Sequence, residues 1–185
     1  NAMPGVGRVD FPGRSGTGFL TINGNGYTVL NSVGAQGDAA GGAATLQGMA
    51  ATPNLAGYYA LGSDIDASVT SSWNGGDGFE PIGNSTTSFT GSFDGLGHTI
   101  SGVTINRPAL DRVGLFGSTV DPVIRNAGLA SANVVGHDLV GGLVGYKYGG
   151  SVSNSYVTGQ VVGGLYAGGL VGANMGSINN SYATV

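Results

Sequence analysis

The feature that most constrains this chain is a repeat. Val140-Gly141-Gly142-Leu143-Val144-Gly145 returns downstream as Ala167-Gly168-Gly169-Leu170-Val171-Gly172. A similar tail follows each copy: Gly150-Ser151-Val152-Ser153-Asn154-Ser155-Tyr156, then Gly176-Ser177-Ile178-Asn179-Asn180-Ser181-Tyr182. A fainter copy lies upstream in Val113-Gly114-Leu115-Phe116-Gly117, with Val123-Ile124-Arg125-Asn126 behind it. Gly114, Gly142 and Gly169 recur at nearly even intervals, and so do Asn126, Asn154 and Asn180. A period of about 27 residues belongs to stacked architectures, in which one unit cannot close a core alone and completes it against its neighbours.

Composition agrees with strands and turns. Glycine supplies 38 of the 185 residues, without the every-third-residue spacing of collagen. Lysine and arginine number 6 and the acidic residues 10; Glu80 and Lys147 are the only glutamate and lysine, so the usual formers of surface helices are nearly missing. The net charge of −4 gives no basic footprint for nucleic acid or an anionic membrane surface. The absence of cysteine excludes thiol catalysis, thiolate metal sites and disulfides. No apolar run approaches the ~20 residues of a membrane span. Asn1-Ala2-Met3 reads as a tag scar ahead of a start methionine, and the whole reads as a segment of a longer protein.

Three regions follow. Residues 1–34 hold two strand candidates, 18–22 and 27–30, joined by the turn-forming Asn23-Gly24-Asn25-Gly26. Residues 35–57 are rich in Ala and Gly, and Leu46 and Met49 stand three apart. One or two helical turns around 43–50, ended by Pro53, are expected to cap the stack and block pairing at its edge. From Tyr58 to Val185 short alternating runs bounded by Gly, Asn, Asp or Ser predict strand after strand. The expected fold is all-β, a right-handed parallel β-helix (β-solenoid) over 58–185 with a short helical N-terminal cap. Stacking about 4.8 Å apart would put Leu115, Leu143 and Leu170 in one internal column and Ile124, Val152 and Ile178 in another. Val144 and Val171 are expected on the opposite strand face. Asn126, Asn154 and Asn180 suggest a polar column of stacked side-chain amides.

These residues resemble a known family. Gly142-Leu143-Val144-Gly145 and Gly169-Leu170-Val171-Gly172 look like the GLUG motif of bacterial surface proteins. The stretch from Phe89 to Ile100 resembles the segment that precedes such repeats, and Tyr58 to Asp66 the strand that opens them. The likeness covers roughly 45–185. It implies a right-handed parallel β-helix displayed outside a bacterial cell, in large secreted exoproteins of the filamentous haemagglutinin and adhesin type or in accessory regions of secreted peptidases.

Sites of chemistry are sparse. Asp64 and Asp66 flank Ile65 and should share an outward strand face, where a solvated strand end accounts for them better than paired catalytic carboxylates or calcium. Asp77, Glu80 and Asp94 could converge across coils as a catalytic trio, a disfavoured reading, and only 16 charged residues in the chain leave little for a sugar-cleaving groove. Asp94 is expected to bond its own backbone in a Gly-rich turn, and His98 has only His137 as a histidine partner. Motifs for zinc proteases, serine hydrolases and phosphate loops are missing. The better ligand candidates are aromatic: Tyr146 and Tyr148, which flank Lys147 where the other unit carries Ala173 and Met175, and Trp73. No catalytic residue, metal or cofactor is expected. The expectation is a non-enzymatic, secreted or surface-displayed adhesive rod, monomeric as a segment, facing a host-cell or matrix component. Its alternatives are a glycan-binding lateral face and, less favoured, a β-helix polysaccharide-degrading enzyme.

Overall fold

The computed structural model describes residues 7–41 and 44–185; the tag scar and Ala43 lie outside them. Short strands dominate, and most pair in parallel. A seven-stranded sheet runs in the order Gly16–Ile22, Asn25–Leu30, Tyr58–Leu61, Ser92–Asp94, Val123–Arg125, Ser151–Ser153, Ser177–Asn179. Only its first pair is antiparallel, closed by the turn at Asn23-Gly24. A second sheet joins Ile65–Asp66, Thr99–Ser101, Gly128–Gly136, Tyr156–Val162 and Tyr182–Thr184, and a third joins Phe116–Val120, Val144–Tyr148 and Val171–Asn174. Isolated parallel bridges carry the third sheet upstream, Ile82 to Phe116 and Phe89 to Thr119.

Register turns the repeat into core. In the first sheet Tyr59, Phe93, Ile124, Val152 and Ile178 are successive partners. In the second sheet they are Ile65, Ile100, Leu129, Val157 and Ala183. Phe93, Ile100, Ile124, Leu129, Val152 and Val157 are fully buried, as are Leu115 and Leu143. Leu143 donates its N–H to the Leu170 carbonyl, and the N–H of Phe116 reaches the Leu143 carbonyl. The leucine and isoleucine columns therefore form as the spacing predicts. Each buried leucine or isoleucine contributes about 1.5–3 kcal/mol from apolar transfer. Val144 departs from expectation: it is as buried as Leu143. Leu143 precedes the strand that starts at Val144, so strand alternation does not link the two.

The glycines and asparagines have separate jobs. A Cβ on Gly142 would stand 2.6 Å from the Gly169 carbonyl oxygen and 2.5 Å from Val157 Cγ1, so close approach excludes one there. Left-handed backbone falls instead on Asn126, Asn154 and Asn180, with φ of 53°, 48° and 46°. Their stacked amides do not form: among the described residues no hydrogen bond joins these side chains, and Asn126 Nδ2 donates to Asp94. The ladder lies one residue later, in serine. Ser155 Oγ accepts the Ala127 N–H and donates to the Ser153 carbonyl; Ser181 Oγ accepts the Ser155 N–H and donates to the Asn179 carbonyl. A hydroxyl both donates and accepts, so it fills this place in both units.

Upstream, parallel pairing begins before Tyr58, since Thr28, Val29 and Leu30 pair with Tyr59, Ala60 and Leu61. The expected helix at 43–50 is replaced by 3₁₀ turns at Gln47–Ala50 and Thr52–Asn54, with a four-residue α-turn at Asp38–Gly41. Pro53 sits in the first turn of the second 3₁₀ segment rather than ending a helix. Leu46, Gln47 and Met49 are fully buried. Gln47 donates to the Glu80 carbonyl and accepts the Glu80 N–H. This segment therefore packs into the core, and the outermost strand of the first sheet is Gly16–Ile22. No helix among the described residues is long and apolar enough to cross a membrane.

Candidate functional site

Tyr146 and Tyr148 stand on one strand with Lys147 between them, and the side chains alternate as a strand requires. Lys147 is fully buried. Its Nζ donates to the carbonyls of Gly149 and Gly150 and to Asn174 Oδ1, at 2.8, 3.0 and 3.1 Å. Burial pushes the ammonium pKa down, and the charge of Asp121 opposes that shift. Tyr148 is 53 % exposed beside Val120, its register partner, at 36 %. Tyr146 is half-buried, with the Arg112 guanidinium 4.7 Å from its ring centroid and its hydroxyl against Met175. One tyrosine thus presents an open ring, and the other has a face occupied by its own arginine. Trp73, expected as an exposed aromatic, is instead 7 % exposed and belongs to the core: its ring covers apolar surface.

The carboxylates divide by partner. Asp64 and Asp66 are both outward around buried Ile65, as alternation predicts. Burial alone would raise the Asp64 pKa, but the Thr99 N–H and Arg8 hold it below its ordinary value. Asp94 is almost completely buried; it accepts Leu96 N–H as its turn requires, and also Arg125 Nε at 2.6 Å and Asn126 Nδ2 at 2.8 Å. His98 is buried, with Nε2 at 2.8 Å from the Val9 carbonyl and Nδ1 3.5 Å from Asp64. His137 has different partners, so the two histidines do not meet.

What the sequence reading missed gathers around the loop 107–113, which interrupts the repeat. A groove of about 160 Å³ is lined by Glu80, Asn84, Arg107, Asp111 and Arg112, among others. At its rim Asp111, His137 and Asp138 place one donor atom each within 4.8 Å of one another. His137 Nδ1 is 2.8 Å from Asp111 Oδ1 and 3.7 Å from Asp138 Oδ2. The hydrogen bond with Asp111, then the charge of Asp138, raise the His137 pKa above its ordinary value. The same bond holds Asp111 low. The signal was available in the spacing: Asp111 and Asp138 stand one repeat period apart.

The GLUG motif family matches residues 136–162, which contain His137, Asp138, Tyr146 and Tyr148. Halomucin of Haloquadratum walsbyi is 44 % identical over 122 residues, 62 % of this chain and 1 % of that protein. A putative Gly-rich membrane protein of Evansella cellulosilytica is 35 % identical over 96 residues, 50 % of this chain and 11 % of its own length. The chain thus spans a small part of each relative. No solved structure matches it.

Proposed function

We propose that the chain is a non-enzymatic structural segment of a secreted or surface-displayed protein: a right-handed parallel β-helix whose job is to be stiff. The observation that carries this reading is the unbroken parallel register from Asn25–Leu30 through Ser177–Asn179, with a shared apolar interior. Parallel strands of one sheet joined by crossovers follow a right-handed path in nearly all cases. Interstrand hydrogen bonds along the axis resist extension, because pulling must break each unit from its neighbour. The GLUG match and the likeness to halomucin and a Gly-rich membrane protein support a place at or beyond the cell surface. In this reading the segment holds adhesive regions of a filamentous-haemagglutinin-type protein toward a host-cell or matrix component. The exposed Tyr148 ring favours a second reading, a glycan contact on the lateral face.

Single-molecule pulling from the two ends tests the rod. Unit-by-unit release predicts length increments of about 90–97 Å for the downstream units, the extended span of one repeat period, and longer steps upstream where the intervals lengthen. Smooth extension without increments, or one release of the whole chain, contradicts it.

A further inference from the structure

We propose that Asp111, His137 and Asp138 bind one divalent cation of the zinc type, bridging two successive repeat units. Only the local pairing of these two units is involved, whatever the path of the whole chain. Val113 pairs with Val140, and the Arg112 N–H reaches the Asp138 carbonyl. Asp111 and Asp138 therefore occupy equivalent places one unit apart, while the third unit carries Leu165 there. Two stacked carboxylates repel, and a single imidazolium neutralises one of them, whereas a dication neutralises both.

The donors suit such an ion. Around a tetrahedral cation with ligands about 2.0–2.2 Å away, neighbouring donors stand roughly 3.3–3.5 Å apart. The two separations at His137 Nδ1, 2.8 and 3.7 Å, bracket that value. One oxygen of each carboxylate is already fixed by backbone: Asp111 Oδ1 accepts the Asp138 N–H at 3.2 Å, and Asp138 Oδ1 accepts the Leu165 N–H at 2.7 Å. These bonds orient the carboxylates and leave Asp138 Oδ2, and a second lone pair on Asp111 Oδ1, for metal, the arrangement that second-shell bonds provide in metal sites. One imidazole with two carboxylates suits zinc better than calcium, which takes six to eight oxygens. Three protein donors leave a position for water. Asp111 also lines the 160 Å³ groove that holds Arg107 and Arg112, which gives that position access to solvent. The other histidine is no competitor, being buried against Val9.

Isothermal titration of the full chain with zinc chloride tests the site, beside Asp111→Asn, Asp138→Asn and His137→Ala. The asparagines keep an oxygen for the backbone N–H bonds, and His137 is exposed, so all three should fold with unchanged circular dichroism. The expected result is one zinc per chain, proton release on binding, weaker binding as pH falls, and affinity at least tenfold lower in each variant. A zinc-dependent rise in melting temperature should vanish with the same substitutions. No binding by the unaltered chain, or affinity unchanged by His137→Ala, overturns the site.

Discussion

The downstream units and the upstream ones solve the same problem differently. From Ile124 onward, successive partners in the first sheet (Ile124, Val152, Ile178) keep close to the repeat period. Upstream the intervals run well past it, from Tyr59 to Phe93 in the first sheet and from Ile65 to Ile100 in the second. Downstream, one residue type repeats at each place: leucine at 143 and 170, a left-handed asparagine at 154 and 180, a bridging serine at 155 and 181. Upstream, single pairings hold the units instead. Gln47 clasps Glu80, Asp94 holds Arg125 and Asn126, and Arg8 spans Asp10 and Asp64. Regular spacing lets backbone and apolar columns carry the joining, with Lys147–Asn174 and Asp111–His137 adding side-chain bonds. Where loops lengthen the interval, specific side chains fasten what the period no longer aligns.

The sharpest way to break this comparison is in the leucine column. Leu143→Asp buries an unpaired charge between two units and should abolish the folded signal in a circular dichroism melt. Leu170 is 9 % exposed where Leu143 is fully buried, so Leu170→Ala should cost less than the roughly 2–5 kcal/mol expected of Leu143→Ala. Equal costs would mean that the column is not shared between units.

The upstream fastening is weaker but specific. Arg125→Ala removes the charged partner of a carboxylate that is 3 % exposed. Arg125 itself remains partly solvated, which tempers the loss, and the other donors to Asp94 stay. A destabilisation of about 2 kcal/mol follows from losing a charge-assisted hydrogen bond to a buried acceptor, read from the urea midpoint. Restoration by the double variant Asp94→Asn, Arg125→Ala would show that the stranded charge causes the loss. A midpoint unmoved by Arg125→Ala would place the fastening elsewhere.

How much of this was legible depends on period. The leucine and isoleucine columns, the outward Asp64 and Asp66, and the shared face of Tyr146 and Tyr148 follow from spacing alone. The serine ladder was missed because asparagine attracts attention as the turn former, while the neighbouring hydroxyl reads as generic polarity. Trp73 was misjudged because the Gly-rich turn after it suggests a surface, and only tertiary packing shows the ring turned into the core. The upstream pairings and the Asp111–His137–Asp138 cluster join residues across units. Asp111 and Asp138 stand one period apart, but choosing these pairings among others requires knowing which loop absorbs the extra residues, and register decides that. Gly141-Gly142 shows the difficulty. Val113 pairs with Val140 but Phe116 with Val144, so the later unit holds one more residue between the two pairings.

In-register parallel stacking is the central claim, and a chain without cysteine allows a clean test of it. Ser151 and Ser177 are direct partners on adjacent parallel strands, about 4.8 Å apart and within reach of a disulfide. Oxidation of the Ser151→Cys, Ser177→Cys variant, followed by counting free thiols, should show a closed disulfide. The pair Ser151→Cys with Ile178→Cys should stay reduced, because a slip of one residue turns the side chain to the other face. Closure of the second pair, or of neither, would contradict the stack.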